Sequence, residues 1–244
     1  VLLKSNIWSG MVKEIKGFGL IGSDPVFDTI QAEWNVPAIA GIPADPNAQV
    51  VIWIGIGGGG PLRGQPATHN VIQVGTGAKY DAFGNPAYYA WWEAYGMPDD
   101  RGENLLDEIQ YKVEPGDKIR AWLMHGISFP GAGTGWEVNL VNDTQNWAYA
   151  QYQFYNGDQT TAEFIVEAPQ NFASGVPFPL ANYGSITFEK CFVNQDEPNF
   201  SISDMCNMFD PKNLNKIIST PSNLHVSTGP YPKGGEGFTV SYVP

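Results

Sequence analysis

Eleven short segments of the chain alternate in character residue by residue, and each is closed off by turn-forming residues: DTIQAEWNV, QVVIWIGI, NVIQVG, AYYAWWEAY, EIQYKVEP, KIRAWLMH, WEVNLVND, WAYAQYQFY, AEFIVEAP, SITFEKCFV and FTVSYV. Side chains of an extended strand point to opposite faces in turn, so such segments suit sheets with one buried face. No long stretch carries the helical period, and 28 glycines, 19 prolines and 13% aromatic residues fit strands joined by turns. The expectation is an all-β protein, an antiparallel two-sheet β-sandwich. Glycine and proline recur evenly with no linker or charge block, so residues 1–244 read as one domain. The stretch from Asn194 to Leu214 is the most irregular and reads as a long loop over one edge.

Charge narrows the partners. Only 16% of residues are charged, 13 basic against 25 acidic, for a net charge of -12. A chain without a basic patch has no electrostatic footprint for nucleic acid or an anionic membrane, so neither is expected as a partner. With every carboxylate protonated the side chains would carry at most 16 positive charges, which limits self-repulsion in acid. No apolar run reaches the ~18 residues of a membrane span. The opening VLLKSNIWSG is too short for a signal peptide, so a mature form is expected, and the charge balance suits a secreted protein of an acidic environment, expected as a monomer. The triplets Asn142-Asp-Thr144 and Asn199-Phe-Ser201 are compatible with secretion. Cys191 and Cys206 could close one loop or remain free thiols, and a disulfide is the expectation.

Alternation within the strands separates two kinds of face. In QVVIWIGI, Ile52, Ile54 and Ile56 share one face, and Trp53 lies on the other with Val51 and Gly55. In NVIQVG, Gln73 opposes Ile72 and Val74, and in AYYAWWEAY, Tyr89, Trp91, Glu93 and Tyr95 oppose Tyr88, Ala90, Trp92 and Ala94. In TAEFIVEAP, Glu163, Ile165 and Glu167 oppose Ala162, Phe164 and Val166. If these strands share a sheet, their second faces line a groove of aromatic and convergent polar groups, as a binding cleft requires.

Familiar catalytic signatures are missing. Gly55-Ile-Gly57-Gly-Gly-Gly60 has dinucleotide-loop spacing, but Pro61-Leu-Arg-Gly-Gln-Pro66 follows where a helix would have to hold a pyrophosphate. His69, His125 and His225 have no metal-ligand spacing, and neither a nucleophile elbow nor an aspartic-peptidase triplet occurs, so no metal or cofactor is expected. Spacing alone leaves Gln73 open between a cross-strand hydrogen bond and a site residue, and Glu93, Glu163 and Glu167 open between paired surface carboxylates and acids of a cleft. Three functions fit such a groove: a peptidase, a glycoside hydrolase using Glu93 and Glu167 roughly 5 to 9.5 Å apart, and a carbohydrate-binding module that uses the aromatics alone.

Motif order along the whole chain resembles the glutamic peptidases, or eqolisins. Ser5-Asn-Ile-Trp-Ser-Gly10 is similar to the family's S-N-W-x-G with one residue inserted, and Ile21 to Pro37 follows its next segment. Trp53-Ile-Gly-Ile56, Ile72-Gln-Val-Gly75, Tyr89-Ala-Trp-Trp-Glu93, Val113-Glu-Pro-Gly-Asp-Lys-Ile119, Ala162-Glu-Phe-Ile-Val-Glu167, Val176-Pro-Phe178, Ile186-Thr-Phe188 and Val240-Ser-Tyr-Val243 then appear in the family's order. The resemblance implies a sandwich of the concanavalin A-like, jelly-roll type with Gln73 and Glu167 as the catalytic pair. It also implies substrate contacts from Trp8, Trp53, Trp91, Glu93 and Tyr95, protein or peptide substrates, and insensitivity to pepstatin. Gly57 and Tyr89 stand where fungal members carry aspartate, so two acids of the groove are replaced, and the scarcity of cysteine points to a prokaryotic member. In the implied mechanism an ionised Glu167 takes a proton from a water held beside Gln73, whose amide donates to the oxyanion. A carboxyl near its ordinary value of about 4.3 would be partly ionised at pH 3 to 5, which gives an acid-active endopeptidase.

Overall fold

A computed structural model of the 244-residue chain describes residues 2–15, 26–41, 45–64, 70–98, 100–129, 133–225 and 234–244. His69, residues 65–66 of the proline-flanked stretch and residues 21–25 of the family-like stretch lie outside these. Among the described residues are fifteen strands: β1 Leu3–Ser5, β2 Trp8–Glu14, β3 Thr29–Asn35, β4 Gln49–Ile56, β5 Val71–Tyr80, β6 Pro86–Tyr95, β7 Asn104–Leu105, β8 Lys118–Phe129, β9 Gly133–Asn142, β10 Trp147–Gln153, β11 Thr161–Glu167, β12 Ser185–Val193, β13 Met205–Asp210, β14 Asn213–His225 and β15 Glu236–Tyr242. The antiparallel path runs β10-β9-β8-β3-β12-β15-β14-β13-β2-β11-β4-β5-β6-β7 without closing, and β1 adds parallel to β13. The path folds back on itself so that β4 and β5 pack on β8, which makes the two-layered, all-β sandwich that the alternation predicts.

The main core lies between the layers and takes alternate side chains from the strands that face it. Ile52, Ile54 and Ile56 of β4, Ile72 and Val74 of β5 and Phe164 and Val166 of β11 meet Leu123 of β8 and Val138 and Leu140 of β9 there. Phe188 and Phe238 stack with centroids 5.0 Å apart, and Trp34 Nε1 on β3 crosses between layers to donate to Thr76 Oγ1 on β5 at 3.1 Å. Each such side chain contributes about 1.5–3 kcal/mol by leaving water. The alternate side chains form a second cluster on the outer face, which includes Val12, Val51, Trp53, Tyr89, Trp91 and Ile165.

Ten of the eleven expected segments are strands, and three expectations change. EIQYKVEP is not a strand: the Asp107 carboxylate accepts from the N–H groups of Ile109 and Gln110, and the Asp107 carbonyl accepts from Tyr111, which winds the segment into a turn. Asn194–Leu214 is not an edge loop, because β13 lies mid-path between β14 and β2, with Cys206 and Met208 fully buried. Cys191 and Cys206 are free and buried in different clusters, Cys191 in the interlayer core and Cys206 on the outer face, so the expected disulfide is not present.

Candidate active site

Strand register arranges the outer face in three rows. Gly55 of β4 stands opposite Gln73 of β5, which stands opposite Glu93 of β6. The adjacent row is Ile165, Trp53, Gly75, Trp91 and Leu105, and the next is Glu167, Val51, Gly77 and Tyr89. Directly opposed residues share a face, so register alone brings Gln73 and Glu167 to one surface from strands separated by β4. Glycine keeps that surface hollow. A β-carbon on Gly75 would run into the Ile52 carbonyl, and one on Gly77 would run into the Tyr89 ring.

A cleft of about 1100 Å³ opens over these rows. Trp8, Gln73, Trp91, Glu93, Tyr95 and Glu167 all line it, as do Asp100, Glu103, Leu105 and Phe172. Trp53 does not line it: expected as a wall, the residue is fully buried, with Trp8 packed edge-on against it at 5.2 Å. Alternation assigns a face but not a depth, and Trp53 acts from beneath, its Nε1 donating to Glu167 Oε2 at 2.7 Å. Glu163 is also fully buried. It accepts from the Gly59 N–H at 3.1 Å, and this bond anchors the glycine loop rather than facing the cleft.

Gln73 is held from the side by Glu93, its Nε2 donating to Glu93 Oε2 at 2.8 Å. Its Oε1 is buried without a protein partner, although a buried amide acceptor left unpaired costs about 1–3 kcal/mol. An acceptor of this kind at the floor of a cleft is a ready place for a water or a substrate N–H.

The carboxyls around it hold their protons strongly. Burial pushes Glu167 up to about 8, with the Trp53 donor opposing and the charge of Glu103 adding to the rise. Burial likewise pushes Glu93 up to about 8, helped by the charges of Asp100, Glu103 and Glu167 and opposed by the Gln73 hydrogen bond. Glu103 rises to about 7 by burial, against the nearby Lys79 ammonium and the Tyr89 hydroxyl, which donates to it. Between pH 3 and 5 the three groups are therefore neutral, which displaces the expected ionised base.

Glu103 and Asp100 escaped the sequence reading. Strand β7 is two residues long, too short for alternation to show, and the acids precede it in a loop. Only the pairing in the structure, Trp91 with Leu105 and Trp92 with Asn104, sets Glu103 next to the part of β6 that carries Glu93. Among the described residues no group of three His, Cys, Asp or Glu side chains is arranged to hold a metal ion.

The family model described as the Peptidase A4 family matches residues 7–228. Among solved structures the chain is similar to scytalido-glutamic peptidase bound to a transition state analog inhibitor, with 23% identity, a TM-score of 0.66 and 98% of each chain covered. It is also similar to SCP-B, a member of the eqolisin family of peptidases in complex with the tripeptide Ala-Ile-His, with 22% identity, a TM-score of 0.60 and 98% of each chain covered. No curated protein matches the chain.

Proposed function

The chain belongs to the peptidase A4 family, and on that premise we propose that it is an acid-active endopeptidase whose catalytic pair is Gln73 and Glu167. One observation carries this reading: Gln73, with an unpartnered buried oxygen, and Glu167, braced by Trp53, open onto the same aromatic-lined cleft.

A water sits between Gln73 Oε1, which accepts one of its hydrogens, and Glu167. Because burial holds the Glu167 proton up to about 8, the carboxyl enters the reaction neutral in acid. As the water attacks the scissile carbonyl carbon, one Glu167 oxygen gives its proton to the carbonyl oxygen and the other takes a proton from the water, so the group is neutral before and after. The Gln73 Nε2 hydrogen not held by Glu93 donates to the carbonyl oxygen as charge develops there. The tetrahedral intermediate collapses when Glu167 protonates the leaving amine and recovers a proton from a hydroxyl, which breaks the C–N bond and leaves a carboxylic acid. Trp8 and Tyr95 flank an extended peptide, and Trp91, almost fully buried, lies in the cleft floor beneath it. The sequence supports a secreted, monomeric enzyme acting on protein or peptide substrates and insensitive to pepstatin, and among the described residues no helix is long and apolar enough to cross a membrane.

Mass-spectrometric product mapping with an acid-denatured protein substrate, alongside β-glucan, tests the reading. Peptide cleavage should fall by roughly 10²–10³ in kcat for Gln73→Ala and by at least as much for Glu167→Gln, with KM little changed. Cleavage that survives both substitutions, or hydrolysis of β-glucan instead, would refute it.

A further inference from the structure

The cleft contains a third carboxyl, the half-buried Glu103, that the proposed chemistry does not consume. Glu103 immediately precedes β7, whose Asn104 pairs with Trp92 next to Glu93, and both glutamates line the cleft. Glu103 is held in place from behind. Tyr89 is 3% exposed, its ring fills the space above Gly77, and its hydroxyl donates to Glu103. Lys79 Nζ lies 5.2 Å from the centroid of that ring.

We propose that Glu103 is a positioning residue: anchored by Tyr89, it acts through Glu93 and Glu167 and widens toward higher pH the range over which both carboxyls stay neutral for peptide cleavage. The inference rests on the Gln73/Glu167 reading above.

The groups facing Glu103 are Tyr89 and Glu93 of β6, Lys79 of β5, Glu167 of β11, and Asp100 and Arg101 of its own loop. Lys79 and Tyr89 favour its anion, so Glu103, at about 7, ionises before Glu93 and Glu167, at about 8. Its negative charge then makes a second and third ionisation in the cleft harder. Glu103 would thus carry the neutral, working forms of Glu93 and Glu167 toward higher pH than burial alone.

Two measurements decide it. The first is the pH dependence of kcat/KM, and the second, which needs no turnover, is the carboxyl titration of Glu93 and Glu167 followed by carbon NMR in glutamate-labelled protein. In Glu103→Gln the alkaline limb and both titrations should move to lower pH by about one unit, the size of one charge acting across a few ångströms of protein. Glu103→Asp should restore most of the shift. Tyr89→Phe should move the limb the same way by less, because Glu103 then ionises later. Titrations that stay in place or rise in Glu103→Gln, or a loss of rate with an unmoved limb, would overturn the proposal. Retained activity in Glu167→Gln would instead overturn the reading on which it rests.

Discussion

Trp53 on β4 donates its indole N–H to the Glu167 carboxyl on the adjacent strand β11, with 2.7 Å between Nε1 and Oε2. The donor fixes one oxygen of the group and favours its anion, so it opposes the rise that burial imposes. In Trp53→Phe the ring remains and the donor is lost. Glu167 should then hold its proton more tightly, and the alkaline limb of the pH–rate profile should move to higher pH. On the acid plateau kcat should drop roughly tenfold with KM little changed, the effect of losing one hydrogen bond of about 1–1.5 kcal/mol. A limb that moves to lower pH, or a change taken up by KM, would count against this role.

Gly77 makes a steric prediction. The Tyr89 ring occupies the volume that a β-carbon at position 77 would need. Gly77→Ala must therefore shift Tyr89 or bend the β5–β6 ladder. Overpacking of this kind costs about 1–3 kcal/mol, so Tm should fall by several degrees, and activity should fall with the displaced Tyr89–Glu103 contact. Gly41→Ala is the matched control: its added β-carbon meets nothing within 4 Å. Equal thermal shifts in the two variants would show that the Tyr89 packing is not what Gly77 protects.

Cys191 and Cys206 pair with different strand partners, Glu236 and Gly10 respectively, and lie in separate clusters. Burial raises both thiols, Cys206 to about 12, so neither offers thiolate at ordinary pH. The intact mass should be the same before and after reduction, and a thiol reagent should label two groups only once the protein is unfolded. A gain of two mass units on reduction would restore the disulfide.

Alternation makes the two faces of β4, β5, β6 and β11 legible in the sequence, because each strand is apolar on the core side and carries Trp, Tyr, Gln or Glu on the other. It could not give depth, and Trp53 lies beneath the cleft instead of beside it. It also failed where local chemistry or burial overrides the pattern. The Asp107 side chain turns EIQYKVEP, and β13 buries Cys206, Asn207, Met208 and Phe209 in succession, so no polar face marks it as a strand. Glu103 was hidden for a third reason, since its position depends on pairing between β6 and a strand of two residues.

The raised carboxyls also predict how stability depends on pH. Glu93 and Glu167 at about 8 and Glu103 at about 7 bind protons more tightly folded than unfolded, where the ordinary value is 4.5. Their contribution is fully present below about pH 4.5 and is lost as pH rises through 7 and 8. Exposed carboxylates such as Asp143, held low by Arg120, and Asp81, held low by the Asn85 N–H, act in the opposite direction, but only as pH falls below about 4. Maximum stability should therefore lie near pH 4 to 5, inside the proposed working range. If two of the three cleft carboxyls keep even a tenfold preference for the proton, the loss by pH 8 is about 3 kcal/mol, or roughly 6–12 °C in Tm for a chain of this size. Calorimetry from pH 3 to 9 should show that decline, and Glu103→Gln should flatten it between pH 5 and 7. A Tm that is level or climbing from pH 5 to 8 would mean that these carboxyls lose their protons inside the folded cleft as readily as outside it.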